Sequence, residues 1–410
     1  MTQAVDLPLS VSRPDETRLV GTVCFAHFAS HYYITLLAPL FLFVRDDYGV
    51  SNTQLALAFT AFNVISTLLQ TPAGFLTDRV SARMLLIAGL LLGAGAFATA
   101  ALVDSYWMFI AMFALAGLGN TVYHPADYAL LSRHVPVERT GRAFSFHTFA
   151  GMLGNAAAPP SLLLLASFVG WRGAFVGAAV LGLVAAATVA TMSEPPAPAA
   201  GKAKARAGGP AGAPAAGWQL LLSPPILLNL LFFVLLSISG GGFSNFLIAA
   251  LGALHGTPPE VGNVALTGLL LFSAGGVLAG GWLSGRTLHH GLVAAVGLTV
   301  AAAISFLVGL FDFPAAALII LLSAAGFSSG VIMPSRDMIV RAATPPGAYG
   351  RVFGFVSTGF NIGGIVSPVI FGQLLDHGYP AAIFFCVAGC GLISIATVAV
   401  NTSRRTANSE

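Results

Sequence analysis

Long apolar runs recur along the chain, at about 20–44, 54–76, 84–103, 106–131, 143–168, 172–192, 226–254, 260–284, 291–311, 314–340, 351–374 and 379–400. Each is close to the roughly 20 residues that a helix needs to cross the hydrocarbon of a bilayer. The pattern predicts twelve membrane-spanning helices, with the closely joined ninth and tenth separated at Asp312 and Pro314. The first nineteen residues are polar and hold no apolar core, so no cleaved leader is expected. Between the sixth and seventh runs lies SEPPAPAAGKAKARAGGPAGAPAAG (193–217), a Pro/Ala/Gly stretch with three cations and nothing to bury, which reads as a flexible linker. The expected domains are a six-helix bundle over 1–192, the linker over 193–217, and a second six-helix bundle over 218–410.

Composition supports a membrane protein: 56% of residues are hydrophobic and 8% charged, against about 25% charged in a soluble domain. Cys24, Cys386 and Cys390 fall in apolar runs without a CxxC pair, which excludes a disulfide framework and a zinc-type metal site. A net charge of +3 is too small for nucleic-acid binding. The placement of cations matters more than their sum, because Lys and Arg resist translocation. With a cytoplasmic N-terminus, fifteen of the eighteen cations fall on the inner side. Arg45 and Arg172 fall outside, and Arg336 falls within a predicted helix. A multi-pass inner-membrane protein with both termini cytoplasmic is expected.

The chain also repeats itself. At an offset of 209, Gly141-Arg142-Ala143-Phe144-Ser145-Phe146 falls on Gly350-Arg351-Val352-Phe353-Gly354-Phe355, and Pro125, Gly154 and Pro159 fall on Pro334, Gly363 and Pro368. At 207, Gly74-Phe75-Leu76-Thr77-Asp78-Arg79 falls on Gly281-Trp282-Leu283-Ser284-Gly285-Arg286. Such a duplicated six-helix unit is the architecture of alternating-access carriers, whose binding site lies near the bilayer midplane.

GFLTDRVSAR (74–83) resembles the loop motif of the major facilitator superfamily, and Gly151, Gly154 and Pro159-Pro160 resemble its helix-five bend. Gly170-Trp171-Arg172 resembles its external corner. The resemblance implies an all-α membrane fold of two pseudo-symmetric six-helix bundles. It gives Gly74, Asp78, Arg79 and Arg83 the role of locking the cytoplasmic helix ends, although Ser81 and Ala82 depart from the motif. The first half is similar to fosmidomycin-resistance-type exporters at Ser30-His31, Leu68-Leu69-Gln70, Gly117-Leu-Gly119 and Tyr123-His124-Pro125. It departs from them at Thr35, Ala126 and Phe113, where that group carries acidic residues or Arg.

Ionisable groups at bilayer depth are costly and therefore few, so each one is a candidate for function. Phe113, Gly117, Asn120, His124 and Asp127 share one stripe of the fourth helix and are expected to face a central cavity. The alternative is that His124 and Asp127 only bond neighbouring helices. At offset 209 Asp127 falls on Arg336, with Asp337 beside it. Asp127 and Arg336 are expected to meet across the pseudo-twofold as a gate, or Arg336 pairs with Asp337 or an anionic substrate. His31, with Tyr32 adjoining, is a candidate for proton coupling or substrate binding. His27 reads as a packed, neutral residue; it is four residues from His31, but no acid is spaced to complete a metal site with them. His147 faces either the cavity or a neighbouring helix. Tyr123, Asn245 after the Gly240-Gly241-Gly242 run, and Asn361 complete the binding candidates; the glycines read as a hinge, an unwound contact or close packing. Asn63 and Gln70 read as interhelical hydrogen bonders.

The sequence thus predicts a monomeric secondary transporter that moves a drug, metabolite or organic anion by alternating access, with protons as the coupling ion and no cofactor. Efflux is the first reading and uptake of a small organic acid the second. No GxxxxGK[ST] run indicates an ATP site. A membrane-embedded enzyme or a sensor is the reading from another class, without a positioned nucleophile or a signalling domain to support it.

Overall fold

The structure, a computed structural model, describes residues 13–50, 52–192 and 217–407, and every regular element in them is helical. The expected linker, with Lys202, Lys204 and Arg206, lies outside the described residues apart from Gly217, as do residues 1–12 of the polar start. Among the described residues, nine helices are long and apolar enough to cross a membrane. One of them, Val137–Ala190, contains the fifth and sixth spans, because Gly170 at φ +69° breaks it. Its first arm follows the first span, placing Arg139 on Glu16 and Ser161 on Tyr32. The second arm returns, placing Gly182 at Tyr33 and the Thr191 carbonyl at Arg18. The second span, Asn52–Thr77, and a broken first span complete the twelve.

The first span is a helix over Arg13–Thr35, a 3-10 turn over Ala38–Leu40 and a short helix over Phe41–Tyr48, where an unbroken run was expected. Pro39 offers no N–H to the Thr35 carbonyl, so the helix stops at that carbonyl. The same rule breaks the fourth span into Tyr106–Asn120 and Tyr123–His134, since Pro125 leaves the Thr121 carbonyl without its donor. The third span is Ala82–Ala100, and the seventh to twelfth are Pro224–His255, Pro259–Ser284, His290–Leu310, Ala315–Ala343, Tyr349–Asp376 and Pro380–Ala407. The triple glycine does not unwind the seventh span. Gly241 lies against Ser367, and Gly242 against Phe371 and Val387, which is close packing.

Three apolar cores show how the halves meet. One belongs to the first six spans, with Phe97, Phe109, Phe113, Phe175 and Trp171 near the turns at Tyr48 and Val103. A second belongs to the last six, around Phe243, Phe371 and Phe384. The third, around Tyr128, Phe144, Phe233 and Phe353, is shared by both halves. It lies toward the end where the sixth span finishes and the seventh begins, the linker end. The halves are therefore joined at the linker end and have separate cores at the far end. Between them the second span packs on the eleventh and the fifth on the eighth, a pair of contacts related by the repeat.

Candidate functional site

At the linker end the two seams are built alike. A Cβ on Gly74 would lie 2.5 Å from the Gly350 carbonyl oxygen, and one on Gly350 would meet Thr77. On the other seam a Cβ on Gly281 would meet Ser145, and one on Gly141 would meet Ser284. Small residues at equivalent positions let the backbones touch on both sides. The charge is not alike. Asp78 accepts from the backbone N–H groups of Gly350 (2.9 Å) and Arg351 (3.0 Å), capping the eleventh span, where a carboxylate is favoured by the helix dipole. It also binds the side chains of Arg351 (2.9 Å) and Arg133 (3.2 Å). Its counterpart on the other seam is Gly285, which carries no side chain. Of the other loop-motif residues, Arg83 donates to the Val189 and Ala190 carbonyls, tying the third span to the sixth, and Arg79 is exposed.

Along the axis between the halves, residues meet their own repeats. The Tyr128 hydroxyl donates to Asp337 Oδ2 (3.1 Å), Arg341 donates to the Ser132 carbonyl (3.2 Å), and Phe144 and Phe353 lie edge-on with centroids 5.9 Å apart. All three pairs are separated by 209 positions. Tyr128 also stacks on Phe353 at 4.2 Å.

Asp127 and Arg336 do not meet. Neighbours on a helix are turned about 100° apart, so when Tyr128 and Asp337 face the axis, the residues before them face into their own halves. Asp127, 0% exposed, lies between the first and fifth spans, with His27 Nδ1 at 3.2 Å and His147 Nε2 at 3.1 Å from its Oδ2. The His27 and His147 rings stack at 3.6 Å, and the rings of His31 and His124 lie 4.5 and 5.2 Å from His27. Asp127 Oδ1, Nδ1 of His124 and of His147, and both ring nitrogens of His31 are buried without a hydrogen-bond partner. The ligand atoms of His27, Asp127 and His147 lie within 4.8 Å of one another, close enough to hold a metal ion. The acid missing from the spacing on the first span is thus supplied by the fourth.

In the second half, the same corner between the seventh and eleventh spans holds Arg336. Its guanidinium lies over Phe233 (4.6 Å) and Phe360 (5.2 Å), and its Nε donates to Asp337 Oδ1 (2.8 Å). At equivalent positions the repeat therefore sets buried groups of opposite sign: Asp127 among imidazoles, and Arg336 between phenyl rings with Asp337 as its partner.

Arg336 also lines a cavity of about 240 Å³ that reaches into the second half, with Met152 its one wall residue from the first. Among the described residues the walls around it are Leu, Ala, Val, Ile, Met, Phe, Gly and four serines, with Arg336 as the one charged side chain. The remaining candidates serve other contacts. Tyr32 bonds Ser161 (2.8 Å), Asn120 donates to Ser66 (3.3 Å), and Asn361 donates to Gln70 Oε1 across the halves (3.2 Å). Tyr123 is packed within the first half near Gly89 and Gly93, and Asn245 is exposed. The stripe expected to face a cavity is largely spent on packing: Phe113 is core and Gly117 abuts the Phe62 backbone. Tyr128, Arg133 and Asn155, which accepts from Thr35 (2.9 Å), were not singled out from the sequence. Tyr128 carried a signal, since the offset that pairs Asp127 with Arg336 sets a hydroxyl donor opposite the Asp337 carboxylate.

A duplicated twelve-helix body, joined at one end and holding buried charges at equivalent corners, defines a membrane carrier for small solutes. The chain belongs to the Major Facilitator Superfamily, whose profile matches residues 23–286 and 235–409. It is 26% identical to a probable sulfoacetate transporter of Cupriavidus necator over 93% of each chain. It is 27% identical to a probable L-galactonate transporter of Escherichia coli over 35% of this chain and 31% of that protein, so that match spans about a third of the relative. It is 24% identical to the E. coli fosmidomycin resistance protein over 42% of each. Among solved structures it resembles the transporter FucP in the outward conformation, with a TM-score of 0.75 and 16% identity over 93% of this chain and 98% of that one.

Proposed function

We propose that the protein is a proton-coupled carrier of a small organic anion in the inner membrane, importing it by alternating access. The observation that carries this reading is Arg336, the one charged residue on the cavity wall, buried over two phenyl rings. A guanidinium held this way presents its remaining N–H groups as a fork matched to a carboxylate or sulfonate. Likeness to transporters named for sulfoacetate and L-galactonate supports the same class.

Coupling follows from charge. Bringing an anion into a cell against an inside-negative potential costs about 2.3 kcal/mol per 100 mV, and one co-transported proton cancels that charge. Asp127 between His27 and His147 is a buried carboxylate with two bases in contact and an unpartnered oxygen, suited to take and release that proton. The concentration of Arg133, Arg139, Arg142, Arg341 and Arg351 near the joined end supports a cytoplasmic linker, with both termini on that side. The protein then stands closed to the cytoplasm and acts as a monomer, its two bundles rocking against each other so that the contacts at the joined end open.

Export is the second reading, supported by the likeness to the fosmidomycin resistance protein. It leaves the buried acid with less to do, since the potential alone drives an anion outward. The test is flux of labelled sulfoacetate and L-galactonate into proteoliposomes under an imposed pH gradient. Accumulation should follow the gradient and be lost in Arg336→Gln. Accumulation of neither anion nor of a labelled aromatic monocarboxylate, or flux indifferent to both the gradient and Arg336, would sink the reading.

A further inference from the structure

We infer that the cavity beside Arg336 selects anions with an apolar body, such as an aromatic or medium-chain monocarboxylate, over polyhydroxylated acids of similar length. This rests on the reading that Arg336 takes the anionic group of the substrate.

The walls carry the inference. A sugar acid brings a row of hydroxyls, and each one stripped of water needs a partner in the site. Among the described residues, the cavity beyond Arg336 offers only Ser239, Ser244, Ser273 and Ser329 as side-chain hydrogen-bonding groups, with no amide, imidazole or carboxylate on its walls. Ser239 already donates to the Val387 carbonyl (3.5 Å). The rest of the surface, including Leu236, Leu269, Leu298 and Ile332, can only bury carbon. Phe360 closes the arrangement from the charged end, since it is both cavity wall and the ring under the guanidinium. A carboxylate seated on Arg336 therefore directs its tail onto apolar surface. The cavity's depth within the second half, away from the polar groups of the first span such as Thr35 and Tyr32, leaves hydroxyls on that tail unpaired.

Gly240 gives a clean way to test this. It lines the cavity, and a Cβ built on it meets nothing within 4 Å. A larger side chain there fills the space without a clash at its root, and replacing a mid-helix glycine favours the helix. The experiment measures binding of hexanoate, phenylacetate, phenylacetamide, D-galactonate and sulfoacetate to the full-length protein in nanodiscs by calorimetry, for wild type, Gly240→Leu and Arg336→Gln. Hexanoate and phenylacetate should bind at least about tenfold more tightly than D-galactonate. Gly240→Leu should weaken phenylacetate about tenfold while changing the compact sulfoacetate no more than about twofold. Tighter binding of D-galactonate than of hexanoate, or Gly240→Leu without effect on phenylacetate, would overturn the inference and leave the organic-anion reading standing. Phenylacetamide binding as tightly as phenylacetate in wild type would instead overturn the anion reading, and this inference with it. Because Arg336→Gln leaves Asp337 without its cation and is at risk of misfolding, the comparison of acid and amide in wild type carries the charge test.

Discussion

The Tyr128 hydroxyl donates to Asp337 at 3.1 Å, and the two residues are each other's counterparts in the duplicated sequence. Two equivalent positions can touch only on the axis relating the halves, so this bond marks that axis in a buried part of the joined end. Tyr128→Phe keeps the stacking on Phe353 and removes the bond. A hydrogen bond to a charged group contributes about 1.5–3 kcal/mol, and the closed linker end should weaken by that order. Asp337→Asn in the same background should add little for this pair. A double-mutant cycle on thermal unfolding checks it, and fully additive effects would refute the coupling.

Asp78 holds four donors from two different helices, all on one seam. Asp78→Asn keeps the size and removes the charge that pairs Arg133 and Arg351. The protein should shift toward states open at the linker end. Spin labels at the exposed positions Val80 and Pro346, read by pulsed electron resonance, should report a longer distance population than in the parent. An unchanged distribution would show that the carboxylate does not hold this end.

Gly74 offers a steric counterpart to that test. Any side chain at this position runs into the Gly350 backbone, which cannot move aside as a flexible side chain would. Gly74→Val should therefore prevent closure at the linker end and abolish net transport while leaving the protein folded. Labelling of a cysteine placed at Ser145, deep in the opposite seam, should rise severalfold. Retention of full transport would mean that the seam does not need backbone contact.

Asp127→Asn should separate coupling from movement. With the carboxylate gone, nothing at this corner changes charge through the carboxyl, so accumulation driven by a pH gradient should be lost. Counterflow of unlabelled against labelled substrate should persist within about tenfold, since exchange needs no net proton transfer. His147→Gln, which removes one of the two imidazole contacts, should shift the pH profile of transport without abolishing it. Gradient-driven accumulation by the Asp127→Asn protein would exclude this carboxylate as the proton carrier.

Arg172 makes the far corner. It donates to the Ala101 and Val103 carbonyls (3.1 Å each) and reaches Asp47 and Asp104 while stacking on Trp171. The ion pairs are exposed and worth little, but Nη1 alone donates to both carbonyls while Nη2 faces the two carboxylates. Arg172→Lys, whose single nitrogen cannot serve the carbonyls and the carboxylates together, should lower stability by about 1–2 kcal/mol. A melting temperature equal to the parent's would argue against it.

Spans and duplication were legible because they are written in long periodic runs: the expected seventh span, 226–254, differs by two residues and one residue at its ends from Pro224–His255. The breaks at Thr35 and Thr121 follow from Pro39 and Pro125, but a run of apolar residues does not show them. Partner choice was less legible. The offset correctly made Asp127 and Arg336 equivalent, yet equivalence says nothing of which way each side chain turns. It takes the roughly 100° step between neighbours on a helix to send Tyr128 to the axis and Asp127 toward His27 and His147. Those two histidines are 120 residues apart in sequence, and only the return of the fifth span along the first brings their rings to 3.6 Å.

The contrast between Asp78 and Gly285 has a kinetic consequence. Two glycine seams built alike would release together, but here one is latched by a carboxylate and its twin only by the Ser145 hydroxyl on the Val277 carbonyl (2.6 Å). Asp78 thus adds to the barrier on one seam only, beyond what the axis contacts of Tyr128 and Arg341 hold in common, and the other seam can slacken first. A cycle arranged this way releases its two seams one after the other. Its turnover can be tuned by the strength of one ion cluster while the cavity, on the other side of the shared core, stays as it is.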